Sequence, residues 1–563
     1  MSARMAELPA TGLAGKARAA ALANMVGIAG SPTSLVTYQS HGRVAVIGPE
    51  AAAMEAAHTL AGQLPVTVLV PGAGRPDPGS SDGIVVVRGG AAEVQGRLGR
   101  FTVNLDTPEG TVALTEAAGL PVEHFDLVLD LGETPLIDYE VPPVGYYAPA
   151  GDEKALRKAL DELPEMSGEF EKPKYFNFKP ELCAHSRSEL SGCTRCIDAC
   201  PTFAITSADE VVSVDPYLCQ GAGSCVAACP SGAMTYAYPT VSDLLGRIRK
   251  LFADFREAGG EQPGLVLHDG WSLKALYERL APDMAEDLVP LEVEEVGSVG
   301  MDTWLAALAY GARAVVVCVT DYTPKRMVRE LEAQVEFARG VLGGMGYPAP
   351  AVSLANTSRP EVAQAVLAGL PAGLSLQPAR FVAPDDKRGI LRLAIEHLHR
   401  FAPSPRKSVE LPAGAPFGEV RVSKTACTLC MGCVSVCPTA ALTPGGDLPQ
   451  LRFTEWNCVQ CGLCEKACPE DAIRLQPRLL FDAEARQQPR VMHEEPPFCC
   501  VSCGKPFTTS GLLDKVQRKL EGHWMFQTEE ARRRLQMCEH CRVKDMFKSG
   551  RGGGGPELPG GPI

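Results

Sequence analysis

The chain has 563 residues, 21 of them cysteine, and a formal charge of −13. That length implies several domains with separate cores, and the acidic balance argues against a nucleic-acid partner and for basic docking patches on another protein. The cysteines cluster in C-x2-C and C-x3-C-P groups, which in a long chain excludes a small disulfide-stapled fold and points to metal ligation in a reducing, cytoplasmic setting.

Residues 1–40 read as an N-terminal extension. Its opening, "MSARMAELPATGLAGKARAAALANMVGIAG", has no consecutive arginine pair, and Asn24 and several glycines interrupt its apolar part, so it is not expected to be a signal peptide. No stretch reaches about 18 uninterrupted apolar residues, so no membrane span is predicted.

Residues 41–172 read as a Rossmann-like, β-rich domain. "RVAVIGPEAAAMEAAHTLAGQLPVTVLV" (43–70) predicts strand, turn, helix and strand, with Gly48 opening the turn and Ala53 at the third glycine position of a dinucleotide fingerprint. Glu50 stands where a glycine would admit a pyrophosphate, and "VLVPG" lacks the acid that would hold a ribose. FAD or NAD is therefore not the expected cofactor. "GIVVVRGG", "EVQGRLG" and "RFTVNLD" predict short strands separated by turn glycines, and "FDLVLDLG" (125–132) predicts a buried strand. "AGDEKALRKALDELPEMSGEFEKPKY" predicts a helix leading into the first cysteine cluster.

Residues 173–240 hold "CAHSRSELSGCTRCIDACP" and "YLCQGAGSCVAACPSGA". Cys193, Cys196, Cys200 and Pro201 keep a C-x2-C-x3-C-P cadence, with the preceding cysteine displaced to Cys183 by a seven-residue insertion. The second run keeps Cys219, Cys225, Cys229 and Pro230 but has Ala222 at the remaining cysteine position. His185, inside the insertion, reads as a solvated loop residue.

Residues 241–400 predict an α/β domain. "PGLVLHDG" and "ARAVVVCVTDY" are strand candidates, and the helix after the second is predicted to start with Thr323 as cap and Pro324 at its first position. That helix would bury Val328, Leu331, Val335 and Leu342. Alternation of strand and helix predicts a small parallel sheet, with Cys318 as core packing. "MDTWLAALAYGARAVVVCV" resembles the α/β domain of electron-transferring subunits in heterodisulfide-reductase-type complexes, with no site carried over from it. Residues 401–418 read as a Pro-rich linker, 419–478 as a second cysteine module, 479–548 as a C-terminal domain and 549–563 as a disordered tail.

"CTLCMGCVSVCP" and "CVQCGLCEKACP" are two complete runs of C-x2-C-x2-C-x3-C-P, and here the chain resembles the bacterial two-cluster ferredoxins. The resemblance implies crossed ligation, in which three thiolates of one loop are completed by the fourth cysteine of the other run. Cys427, Cys430, Cys433 and Cys468 would hold one [4Fe-4S] cluster, and Cys458, Cys461, Cys464 and Cys437 its neighbour. Carried to residues 173–240, the same rule gives a [4Fe-4S] cluster on Cys183, Cys193, Cys196 and Cys229. It leaves three thiolates, Cys219, Cys225 and Cys200, for the other cluster. Three thiolates suit a [3Fe-4S] cluster, as in seven-iron ferredoxins, where the changed residue is typically Asp, or a [4Fe-4S] cluster whose last iron takes water or another side chain. The alternative is that Cys183 is a free thiol and the module is scaffold.

Cys500, Cys503, Cys538 and Cys541 form a C-x2-C…C-x2-C set, read as a zinc-finger-like knuckle with a further iron–sulfur cluster as the alternative. Cys499 is left over, and His540 competes with a cysteine only if the two knuckles are not already a complete tetrahedral site.

The expected fold class is multidomain α/β plus α+β, with a Rossmann-like N-terminal region, two ferredoxin-like dicluster modules, an intervening α/β domain and a zinc-finger-like knuckle. No Ser/His/Asp set, Walker-type loop or paired carboxylates stand out, so the visible chemistry is one-electron transfer. Domain order resembles the large iron–sulfur proteins associated with bacterial formate dehydrogenase systems. That implies a molybdenum- or tungsten-dependent formate dehydrogenase, or its assembly machinery, as partner. The expectation is an electron carrier or redox subunit with about four clusters, three [4Fe-4S] and one [3Fe-4S] or three-cysteine [4Fe-4S], without its own substrate site. A flavin- or NAD-linked oxidoreductase and a metalloenzyme assembly protein are the alternatives.

Overall fold

A computed structural model describes residue 8 and residues 10–25, 33–108, 110–280, 284–446 and 448–549, so most of the expected disordered tail lies outside the described residues. The chain divides into one unit of Met1–Pro180 with Thr194–Pro405 and a second of Glu181–Cys193 with Arg406–Ile563.

In the first unit, strand Val44–Ile47, helix Glu50–Leu60 and strand Val66–Val70 form a parallel β-α-β unit, Val44 lying opposite Val66. All four residues of "VAVI" are buried, as expected of a central strand covered on both faces. One face packs Val44 and Val46 with Ala53, Ala57 and Leu60 of the helix, and the other packs Ala45 and Ile47 with Leu69, Phe101 and Val128. Leu127–Asp130 lies parallel on the far side of Val44–Ile47.

"GIVVVRGG" and "EVQGRLG" are not separate strands, because Ile84–Arg97 runs continuously. Its first half pairs in parallel with Val66–Val70 and its second half antiparallel with Arg100–Thr107. The change of partner falls at Gly89 and Gly90, whose φ angles are +102° and +81°. A Cβ on Gly89 would stand 2.6 Å from the Arg75 carbonyl oxygen, so these glycines bend the strand instead of ending it. The predicted helix is Glu153–Glu162, capped by Asp152. It leads to Gly168–Pro173, which pairs antiparallel with Leu35–Ser40.

The second sheet of this unit is fully parallel, in the order Leu288–Glu292, Gly264–His268, Ala314–Val319, Val352–Asn356. Cys318 is buried within it. The long helix begins at Lys325, one residue later than predicted, with Pro324 as the boundary. Thr323 does not cap it, because its hydroxyl accepts from Thr320 N at 2.9 Å. Leu331, Val335 and Leu342 are buried, whereas Val328 is only half-buried.

In the second unit, residues 406–418 of the expected linker are not free. Ser408–Glu410 pairs with Arg478–Leu480, Gly418–Val422 pairs with Ile473–Pro477, and Phe417 stacks on Trp456 at 5.7 Å. Proline content misled the prediction, because strand edges and turns accept proline as readily as linkers do. A second antiparallel sheet joins Leu442–Gly445, Leu448–Phe453 and Arg490–Glu494, and the hairpin Pro497–Cys499/Pro506–Thr509 precedes helix Ser510–Leu520.

Candidate metal centres

The cysteine runs 427–437 and 458–468 share one local architecture. In each C-x2-C loop the second residue after the first cysteine, Leu429 or Gln460, has φ +55°, and Met431 and Gly462 are also left-handed at +61° and +83°. A short helix follows each, Gly432–Ser435 and Leu463–Lys466, ending just before the last cysteine of its run. Non-glycine residues held at positive φ cost free energy and mark a backbone shaped by function.

These loops gather the eight thiols into two groups. Burial, then Cys427, Cys430 and Cys468, push the Cys433 thiol up to about 12. Burial, then Cys458, Cys461 and Cys437, likewise raise Cys464. The fourth neighbour in each group comes from the other run, and Cys427, Cys430, Cys433 and Cys468 line one small cavity together with Leu429, Leu451 and Ile473. Buried Cys433 and Cys464 resist ionisation among neighbouring thiols, and a bound cationic metal would offset that cost. Ala472 N donates to Cys468 Sγ at 3.3 Å and Gln460 Nε2 to Cys458 Sγ at 3.2 Å.

The run containing Ala222 keeps the backbone of the complete ones. Gly221 and Gly223 hold φ +84° and +75°, at the positions equivalent to Leu429 or Gln460 and to Met431 or Gly462. A Cβ would meet the Tyr175 ring at 2.9 Å from Gly221 and the Ser298 backbone at 2.6 Å from Gly223. Helix Ser224–Ala228 follows, so only the donor atom is missing at residue 222. Burial raises the Cys225 thiol well above its ordinary value, and Cys219, then Cys200, then Cys196 and Cys229 add to the effect. Cys219 is also raised by burial, with Lys172 opposing. Cys200 lies 3.3 Å from Thr202 Oγ1 and Cys229 3.6 Å from Ser231 Oγ, while Cys437 lies 3.9 Å from Thr439 Oγ1. These hydroxyls, two residues past the closing cysteine, were legible as "CPT" and "CPS" but were not singled out as polar neighbours of sulfur.

The insertion before Cys193 folds as a β-hairpin. Ser186–Arg187 pairs with Leu190–Ser191 around Ser188 and Glu189, whose φ angles are +51° and +63°. Gly192 N donates to His185 O at 2.6 Å and Cys193 N to Ala184 O at 2.8 Å. The hairpin thus brings buried Cys183 back beside Cys193. His185 is buried rather than solvated, its Nδ1 lying 3.0 Å from Cys193 O.

Residues 191–233 and 426–472 both match the 4Fe-4S dicluster domain. The chain therefore carries two dicluster domains, and its role is iron–sulfur electron transfer. No curated protein matches the chain. Among the described residues no helix is long and apolar enough to cross a membrane.

Beyond the two dicluster domains, Cys500, Cys503, Cys538 and Cys541 converge with all four sulfurs within 4.8 Å of one another. Cys503 Sγ and Cys538 Sγ are 3.7 Å apart, matching the edge of about 3.8 Å for a tetrahedron with metal–sulfur bonds of about 2.3 Å. A cubane holds its thiolates further apart, since four irons intervene. Cys499 is exposed and outside the quartet, and His540 is exposed on the last helix.

At the β-α-β turn, Glu50 is the first residue of its helix and pairs with Arg88 at 2.5 Å. A Cβ on Gly48 would meet Leu131 Cβ at 2.8 Å. The Glu50 carboxylate thus stands in the first turn of the helix, engaged by Arg88 and making no capping hydrogen bond to the helix N–H groups.

Proposed function

We propose that the chain is an electron carrier or redox subunit with four iron–sulfur clusters and no substrate site of its own. Cys427, Cys430, Cys433 and Cys468 would hold one [4Fe-4S] cluster, and Cys458, Cys461, Cys464 and Cys437 a second. Cys183, Cys193, Cys196 and Cys229 would hold a third. Cys219, Cys225 and Cys200 would hold a [3Fe-4S] cluster, or a [4Fe-4S] cluster with one iron left to a non-thiolate ligand. The observation that carries this reading is the Ala222 loop, which retains the two left-handed positions of the complete loops while losing only the sulfur. A decayed module would have no reason to keep that backbone.

When bound, the clusters supply one-electron oxidation and reduction, with potentials set by cluster type, charge and hydrogen bonds to sulfur. The chain's part is to bury the thiolates, donate N–H and O–H groups to them and keep solvent away. The Cys500, Cys503, Cys538 and Cys541 quartet fits a structural zinc. Domain order favours a formate dehydrogenase-type system as redox partner in the cytoplasm. Flavin or NAD chemistry at residues 43–70 is disfavoured by the Glu50–Arg88 pair.

The test is EPR of anaerobically purified protein, as isolated and after dithionite, with iron and zinc counted per chain. Iron for four clusters, with an oxidised three-iron signal lost on reduction, supports the reading with [3Fe-4S]. Iron for at most two clusters overturns it and leaves the first dicluster domain as scaffold.

A further inference from the structure

Reduction adds negative charge to a cluster, so a nearby cation without a counter-ion raises its potential. Two buried or half-buried lysines touch the loops of the first dicluster domain. Lys387 donates to Val226 O at 2.8 Å and Ala227 O at 2.7 Å, but Asp302 lies 3.8 Å from its Nζ and offsets its charge. Lys172 is different. On strand Gly168–Pro173, it donates to Tyr217 O at 2.8 Å and to Cys219 O at 2.5 Å, two main-chain carbonyls that bring no counter-charge, and burial lowers its ammonium only to about 8, above neutral pH.

The surroundings hold Lys172 in place. Its Nζ sits 4.9 Å from the centroid of the Tyr38 ring, and Tyr38 in turn donates its hydroxyl to Tyr217 O at 2.6 Å. Arg97 stacks on the other partner, with its guanidinium carbon 3.3 Å from the Tyr217 ring centroid. The opposing charge is Asp215, which is committed to the Tyr217 and Leu218 backbone N–H groups at 2.7 and 3.2 Å. Lys172 and Arg97 together outweigh it. The contact with Cys219 O also holds the ammonium beside the residue that would supply a thiolate, and Lys172 favours the negative charge of the Cys219 sulfur directly.

We infer that Lys172 is a positioning residue that raises the reduction potential of the three-cysteine cluster on Cys200, Cys219 and Cys225, making it the electron sink of its domain. This rests on the proposed cluster assignment and adds to it a direction of flow, from the four-cysteine clusters to the three-cysteine one.

The experiment is EPR-monitored redox titration of the full chain as wild type, Lys172→Met, Lys172→Arg and Asp215→Asn, each with an iron count. Lys172→Met should lower the reduced-to-oxidised ratio of the three-cysteine cluster about tenfold at fixed potential, 59 mV for a one-electron couple. Lys172→Arg should restore it, and the other clusters should not move. Asp215→Asn keeps an oxygen for the Tyr217 and Leu218 N–H groups while removing the charge, and should shift the ratio the other way. It also serves if Lys172→Met does not assemble. An unmoved midpoint in both charge variants, with the iron count intact, overturns the role of Lys172. A wild-type iron count that lacks this cluster instead overturns the assignment beneath it.

Discussion

Cys503 Sγ and Cys538 Sγ stand 3.7 Å apart although 35 residues separate them in sequence. Around them the C-terminal domain buries few apolar side chains among the described residues: Cys500, Met537 and Cys538 form one cluster, with Phe507 and Cys541 packed alongside, and Leu513 and Leu535 are buried too. A core this small would draw much of its stability from a bound metal, whose binding free energy becomes folding free energy. The expected outcome is one zinc per chain, lost on chelation together with hydrogen-exchange protection across helices Ser510–Leu520 and Glu529–Leu535. Cys538→Ser should do the same and leave the iron count unchanged. Iron at this quartet, or protection that survives chelation, contradicts the prediction.

The hairpin before Cys193 gives a second prediction. A Cβ on Gly192 would lie 2.6 Å from Ala184 O and 2.8 Å from Leu463 Cγ, so Gly192→Val must push the hairpin base open. Overpacking of this kind costs about 1–3 kcal/mol. If Cys183 closes a cluster, Gly192→Val and Cys183→Ser should each remove one cluster's worth of iron. Retention of full iron by Cys183→Ser would make that residue a bystander.

How much of this was readable beforehand depends on whether the signal is local. The runs at 427–437 and 458–468 announce themselves because cysteine spacing along a tight loop sets cluster geometry directly. Ala222 could be noticed as a missing donor, but the sequence alone does not say whether its loop survived, since that depends on φ at Gly221 and Gly223. His185 was misread because hairpin formation, not composition, decides its burial. Lys172 and Thr202 escaped notice because a lone lysine in a strand or a threonine after proline carries no pattern. Their importance is set by what lies across space. Gly89 and Gly90 looked like turn residues because the same freedom that makes a turn also makes a bend within a strand.

A closed ring of charges supports the complete dicluster domain. Arg478 and Arg490 each bridge Glu419 and Glu455 at 2.7–2.8 Å, and Glu455 is buried. Burial raises the Glu455 carboxyl, but hydrogen bonds from Arg478 and Arg490 outweigh it and hold the group below its usual range. A depressed carboxyl contributes stability above its unfolded value of about 4.3 that is lost as pH falls through the folded value. Glu455→Gln should therefore cost about 3 kcal/mol near pH 7 and flatten the acid limb of the urea midpoint. Equal acid sensitivity in both proteins would remove Glu455 from the explanation.

Glu295 has the opposite sign. Burial, then Asp269 and Glu294, push its carboxyl up to about 7, against the hydrogen bond from Trp271. Between its unfolded value of about 4.3 and 7 the native state binds the extra proton, so stability falls as pH rises through that window and stays lower above it. Glu295→Gln mimics the protonated form at every pH. It should match wild type near pH 5 and exceed it at pH 8, with the difference opening between those values in denaturant midpoints measured on the full chain. A constant offset across the range would mean that Glu295 ionises as freely in the fold as in the unfolded chain.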